Sequence, residues 1–195
     1  MGYTLVTAPT SEPISLAQAK LHLRLDDIGG SHPDDSLITS LITAVRQFAE
    51  QETRRSLITQ TWRYTADGFH CYGGGEIWLE KGPVTAISSI TYLDTTGATQ
   101  TLASTEYTAE LTGPLARVAP AFGKAWPAAL PQIGAVAVNF IAGYGAADVV
   151  PHGIRQWMLL RLRALYDNRS EIVDGAAIIP SYVDRMLDHY RIEVA

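Results

Sequence analysis

The chain has 195 residues, of which 47% are hydrophobic and 18% charged, the balance of a globular domain with a substantial core rather than of a disordered tract. No run approaches the roughly 18 apolar residues of a membrane span, and the opening Met1–Val6 lacks the basic start and apolar core of a signal peptide. A net charge of −5 argues against a duplex-binding module, which would show a basic patch. The charge is uneven: residues 151–195 hold six arginines and six acids, whereas residues 1–150 hold nine basic and fourteen acidic side chains.

Residues 1–13 read as an extended leader ending in Pro9 and Pro13. Ser15 with Gln18 spells a capping box for a short amphipathic helix carrying Leu16, Ala19 and Leu23. Asp26–Pro33 is a loop. A second helix is predicted over residues 35–55, with Asp34, Asp35 and Ser36 as caps and Arg54 and Arg55 complementing the dipole at its end. Leu37, Leu41, Val45 and Phe48, flanked by Ile38, Ile42 and Ala49, read as one continuous apolar face.

From Leu57 to Ile141 the period changes to that of strands. Segments fall at 58–65, 76–80, 84–94, 100–103, 106–111, 115–119 and 135–142, with turn signals between them such as Gly82-Pro83 and Asp94–Gly97. Glycines at 143 and 145 then break the last strand, and Pro151 stands where a helix would start. From Ile154 to Tyr166 that helix is apolar almost all round, Trp157–Leu160 being consecutive, so enclosure by protein on several sides is expected, in part by another copy. Residues 167–179 read as a loop. Ser181 and Asp184 cap a last helix with Val183, Leu187 and Tyr190 on one face. The sum is an α+β fold in a single domain, 1–195. A mainly helical frame of about four helices, at 14–56 and 151–192, carries an inserted antiparallel β-sheet or small barrel at about 57–142.

Chemistry-bearing motifs are weak. Cys71 is the sole cysteine, so no internal disulfide forms, and its neighbours include no lysine or arginine to activate it. The five histidines lack metal-ligand spacing. The acids at 26, 27, 34 and 35 beside His32 lack the alternation and closing glutamate of a calcium loop. Gly143-Tyr144-Gly145 lacks the lysine and spacing of a phosphate loop, and no nucleophile elbow is present. No catalysis, cofactor or metal is therefore assigned. Arg155, Arg161, Arg163 and Arg169 read as pairing residues within or between subunits, since Asp167 and Glu171 lie close by. Trp126 and Trp157 read as core or interface anchors.

An ordered set of short motifs carries a resemblance. It starts with Ser15–Arg24, Asp34–Ile38 and Phe48–Glu50 with Thr53. It continues through Gln60-Thr61-Trp62, Ile77–Leu79 with Gly82–Val84, Ile90–Tyr92, Trp126-Pro127 and Val138–Phe140 with Gly143–Gly145. It ends in Val150-Pro151, Leu165-Tyr166 with Asn168-Arg169, Pro180, and Leu187 with Tyr190-Arg191. Together these resemble the head–tail connector (adaptor, or head-completion) proteins of tailed bacteriophages, including those of prophages and gene transfer agents. Ser170 stands where an acid often follows Asn-Arg, with Glu171 one place later, a departure from the pattern.

The resemblance implies a non-enzymatic virion subunit assembled in the bacterial cytoplasm. Roughly a dozen copies would form a ring on the portal vertex, joining the portal protein to a stopper or tail terminator in the neck and continuing the DNA channel without specific DNA binding. Contacts with portal or neighbour are assigned to Trp157, Arg161, Arg163, Arg169, Tyr182, Tyr190, Arg191 and Ile192, with the segment from Ser181 docking on the portal. A small enzyme or ligand-binding module using the β segment as a pocket, with His70 and Cys71 in it, is the alternative. A nucleic-acid-binding regulator is a third reading.

Overall fold

A computed structural model describes residues 1–27, 31–69, 75–113, 115–168, 172–173, 176–177 and 182–192. The chain divides into two compact units, residues 1–9 with 59–144, and residues 10–58 with 145–195.

The first unit is built of strands. The larger sheet runs in the order β1 (Gly2–Thr7), β2 (Gln60–Ala66), β8 (Val136–Ala142), β4 (Val84–Leu93), β5 (Thr99–Leu102), every pair antiparallel. The smaller sheet pairs β3 (Ile77–Leu79) and β6 (Tyr107–Glu110) with a central β7 (Ala116–Pro120). The period-2 pattern explains both. On β8, Val136, Val138, Phe140 and Ala142 point one way and are buried, and Val138 stands opposite Tyr64 on one side and Ile90 on the other. Ile77, Leu79 and Val118 of the smaller sheet join the same core, where Phe69 stacks on Trp126 at 4.7 Å between ring centres.

Two open antiparallel sheets thus stand where the sequence predicted one sheet or a small barrel, and β1 and β5 remain as the edges of the larger. The leader contributes β1 itself. Its partner lies some sixty residues on (Tyr3 opposite Tyr64), a pairing that no local pattern announces.

The second unit is built of helices. Helix α1 (Leu16–Leu23) starts on the predicted capping box: Ser15 Oγ accepts from Gln18 N at 3.2 Å, and Ser15 N donates to Gln18 Oε1 at 3.0 Å. Helix α2 (Asp35–Thr53) and helix α3 (His152–Asp167) pack together, burying Ile38, Ile42, Val45 and Ala49 of the one and Ile154, Trp157, Met158 and Leu162 of the other. Each such aliphatic or aromatic side chain contributes about 1.5–3 kcal/mol by leaving water.

Pro151 occupies the N-cap of α3, after Gly143 and Gly145 at φ of 132° and 117°, angles that a side chain would strain. The predicted fourth helix shrinks to one turn, α4 (Tyr182–Arg185), followed by a 3₁₀ turn at Asp188–Tyr190. The reason is tertiary: the chain bends so that Ile192 N donates to Thr53 O at 3.1 Å and Leu187 is buried. A two-stranded ribbon, β9 (Ile172–Val173) with β10 (Ala176–Ala177), lies in the segment read as loop.

The cap predicted for α2 also differs. Asp34 makes no side-chain cap; its Oδ2 instead accepts from the Tyr166 hydroxyl at 2.6 Å, tying the start of α2 to the end of α3. Arg54, placed by the sequence inside the helix, is its left-handed C-cap at φ 56°.

Candidate functional site

The helical unit holds the described residues to which the sequence assigned contacts. Trp157 is 2% exposed and packs in its own core, and Ile192 is 5% exposed, so neither presents surface in the single chain. Tyr190 is half-buried, its hydroxyl so close to Gly153 that a Cβ there would lie 2.7 Å away, and its carbonyl accepts from Arg55 Nε at 2.6 Å. Arg191 is exposed and pairs with Glu52 at 2.7 Å and Asp188 at 3.2 Å. The segment 187–192 is therefore strapped to α2 and α3 rather than projecting.

Arg163 is also exposed. It pairs with Asp167 one turn on, and its Nη1 donates to Leu23 O at 3.2 Å, so in the single chain its partners are intrachain. Arg161 is half-buried. Arg169 and the Tyr182 side chain lie outside the described residues, as do His70 and Cys71 of the alternative pocket.

Two charged clusters stiffen the unit. Arg46, nearly buried on α2, donates Nε to Glu12 and Nη1 to Glu50, both at 2.8 Å, while Glu50 Oε1 accepts from Leu57 N at 2.9 Å. One guanidinium thereby binds the leader, the helix and the exit of the helix. Lys20 bridges Asp27 and Asp35, the latter at 3.1 Å, so an ammonium sits among the acids of the loop around His32. Its hydrogen bond to Asp27 holds its pKa above the ordinary lysine value, while the hydrogen bond from His32 N, with Lys20 beside it, holds the Asp35 carboxyl below the ordinary range.

What remains uncovered is a ridge and a groove. Along α2, Leu37, Leu41, Ala44 and Phe48 recur at spacings of four, three and four, the rhythm of a helix-packing seam. Phe48 is 50% exposed, Leu37 36%, and Leu41 and Ala44 are half-buried. This stripe runs one residue behind the buried stripe Ile38, Ile42, Val45, Ala49. The sequence merged the two into one face, and among the described residues only the inner stripe is fully covered.

The groove, of about 800 Å³, lies between α1 and α3. Its apolar lining is Ile14, Leu21 (81% exposed), Leu159 and Met186; its polar lining includes His22, His152 and Arg155. Arg155 Nη2 lies 2.8 Å from His152 Nδ1, and since a guanidinium only donates, that ring nitrogen accepts. Arg155 Nε is buried without a hydrogen-bond partner among the described residues. No group of three or more His, Cys, Asp or Glu able to hold a metal occurs among the described residues.

Comparison with known proteins gives this geometry a context. The family model described as phage gp6-like head-tail connector protein matches residues 13–109, about half of the chain. No curated protein matches it in sequence. Solved structures match over 100% of this chain and 98% of theirs. One is from the neck of an empty gene transfer agent particle computed with C6 symmetry (TM-score 0.80, 22% identity). Another is from the virion of a native gene transfer agent particle (0.80, 24%), and a third from the neck of a native particle computed with C12 symmetry (0.70, 24%). At these identities the likeness is one of fold.

Proposed function

The chain belongs to the phage gp6-like head–tail connector family, and from that premise we propose that it is a neck subunit of a tailed phage, prophage or gene-transfer-agent particle. The family is one of structural connectors and not of enzymes. In this reading about a dozen copies close into a ring on the portal vertex, receive the next neck or tail component, and prolong the DNA channel. The family match over residues 13–109 carries the reading, supported by the full-length likeness of fold to chains from particle necks, one of them computed with C12 symmetry. A ring of about twelve copies at −5 each carries about −60, a field that lets DNA slide without adhering.

Heads assembled without this protein should package DNA yet lack tails in electron micrographs, and complementation should restore them. Tailed, DNA-transferring particles in its absence would refute the reading. Of the portal contacts assigned to the segment from Ser181, Arg191 keeps an exposed guanidinium. Arg191→Glu should lower neck occupancy on portal-bearing heads with little change in subunit stability, because its pairs with Glu52 and Asp188 are surface pairs worth about 0–1 kcal/mol.

A further inference from the structure

The geometry points to a head-to-tail contact in which the outer stripe of α2 in one copy (Leu37, Leu41, Ala44, Phe48) seats in the α1–α3 groove of the next. The inference rests on the ring reading and names the surfaces that would make the ring. The occupant is a second copy of this chain.

Several observations converge on that occupant. The stripe has the four–three–four spacing by which one helix lies against others, yet the described residues leave Leu37 and Phe48 exposed and Leu41 and Ala44 only half-covered, and an exposed seam ending in a half-exposed phenylalanine costs solubility unless something covers it. The groove is its complement in chemistry, an apolar trough of Ile14, Leu21, Leu159 and Met186.

Topology then puts ridge and groove on different faces of the unit. Helix α2 turns its inner stripe toward the other helices and its outer stripe away, whereas the groove is the seam between α1 and α3. Two different patches meeting head to tail form a heterologous interface, the kind that repeats until it closes into a ring. A neck of the same fold computed with C12 symmetry has the cyclic order such a contact generates.

Charge supplies the remaining match. Arg155 brings a half-buried guanidinium to the groove. One turn beyond Phe48 the stripe reaches Glu52, whose exposed pairing with Arg191 is weak enough to exchange. In the assembled contact, Glu52 of the incoming copy pairs with the outer nitrogens of the Arg155 guanidinium as Phe48 enters beside Leu21.

The test is cross-linking in assembled particles. A Cys71→Ser background removes the native thiol, and Phe48→Cys with Leu21→Cys places one thiol on the ridge and one in the groove. Treated with a short bismaleimide, particles carrying the double variant should yield a ladder of dimer, trimer and higher species up to ring size. Each single variant should stay monomeric. Phe48→Asp should lower the yield of neck-bearing particles by about tenfold or more, as for a hot-spot aromatic, with the unfolding midpoint of the isolated subunit unchanged.

Should Phe48→Cys keep subunits out of particles, Leu37→Cys with Leu159→Cys reads the same contact. Rings visible in the particles without a ladder from either pair, or a ladder that stops at dimer, would overturn this interface and leave the ring reading intact. Wild-type particles whose necks lack this protein would overturn the ring reading instead.

Discussion

Two apolar stripes run down α2, one residue apart, at the same spacing. Ile38, Ile42, Val45 and Ala49 are enclosed by the chain itself; Leu41 and Ala44 are only half-buried, and Leu37 and Phe48 are exposed. Intrinsic helix propensity cannot separate them, nor can hydropathy. What separates them is the number of helices the unit has to offer: α1 and α3 pack against α2, and among the described residues no further helix covers the outer stripe. A subunit that folds on its inner stripe and assembles on its outer one keeps its stability and its assembly on separate residues.

The largest predicted effect tests that separation directly. Ile42→Ala should cost the isolated subunit about 2–5 kcal/mol, because a buried, well-packed side chain is lost and a cavity remains. Phe48→Ala on the outer stripe should cost about 0.5 kcal/mol or less, and half-buried Leu41→Ala about 1 kcal/mol. Denaturant unfolding of the purified subunit measures all three. Similar losses on both stripes would mean that the outer one is structural after all.

A smaller effect is predicted beside the inner stripe. Arg46 is nearly buried and neutralises Glu12 and Glu50. Arg46→Ala strands two carboxylates that are themselves partly covered, and should cost about 2–3 kcal/mol, below the full range for buried pairs because Glu12 still reaches water. A double-mutant cycle with Glu50→Gln should show coupling above about 1 kcal/mol. Additive losses would show that the cluster is ornamental and that apolar burial alone holds α2 in place.

Much of this was legible in advance. The seven strands between residues 57 and 142 follow from alternation, β-branched composition and turn signals, and α2 is placed to within two residues, because these patterns are local. Most of the failures involve distant partners. Strand β1 needs β2 beside it; Asp34 forgoes capping because Tyr166 is within reach; the last helix stops after one turn because Ile192 has a hydrogen bond to make with Thr53. The contact surface fell between these cases. Trp157, read from the sequence as a core or interface anchor, lies in the core of the single chain. The four–three–four rhythm of Leu37–Phe48 was visible all along, and only the count of available helices reveals it as surplus.

The next prediction turns on the strap that holds residues 187–192. A methyl at Gly153 would meet the Tyr190 hydroxyl at 2.7 Å, so Gly153→Ala should loosen the strap and lower stability by about 1 kcal/mol, the clash outweighing the propensity gain of alanine in a helix. In a Tyr190→Ala background the obstacle is gone, and the same substitution should raise stability by about 0.5–1 kcal/mol. That change of sign, read by thermal unfolding, would show that the C-terminal segment belongs to the folded subunit. A loss in both backgrounds would show that something other than Tyr190 forbids a side chain at 153.

The smallest effect lies away from both stripes and supplies their control. Asp94 closes the β4–β5 hairpin, its carboxylate accepting from Thr96 Oγ1, Gln100 Nε2 and the amides of Thr96 and Ala98. These donors, the Thr96 hydroxyl foremost, pull its pKa from 3.8 down to about 2. A carboxyl more acidic in the fold than in the unfolded chain stabilises fully above its unfolded pKa, and the benefit fades as pH falls through about 4 toward 2. The melting-temperature gap between wild type and Asp94→Ala should therefore stay constant above about pH 5 and narrow in acid, whereas the gap between wild type and Phe48→Ala should stay near zero throughout. A gap for Asp94→Ala that ignores pH would mean that the turn depends on the shape of the side chain and not on its charge.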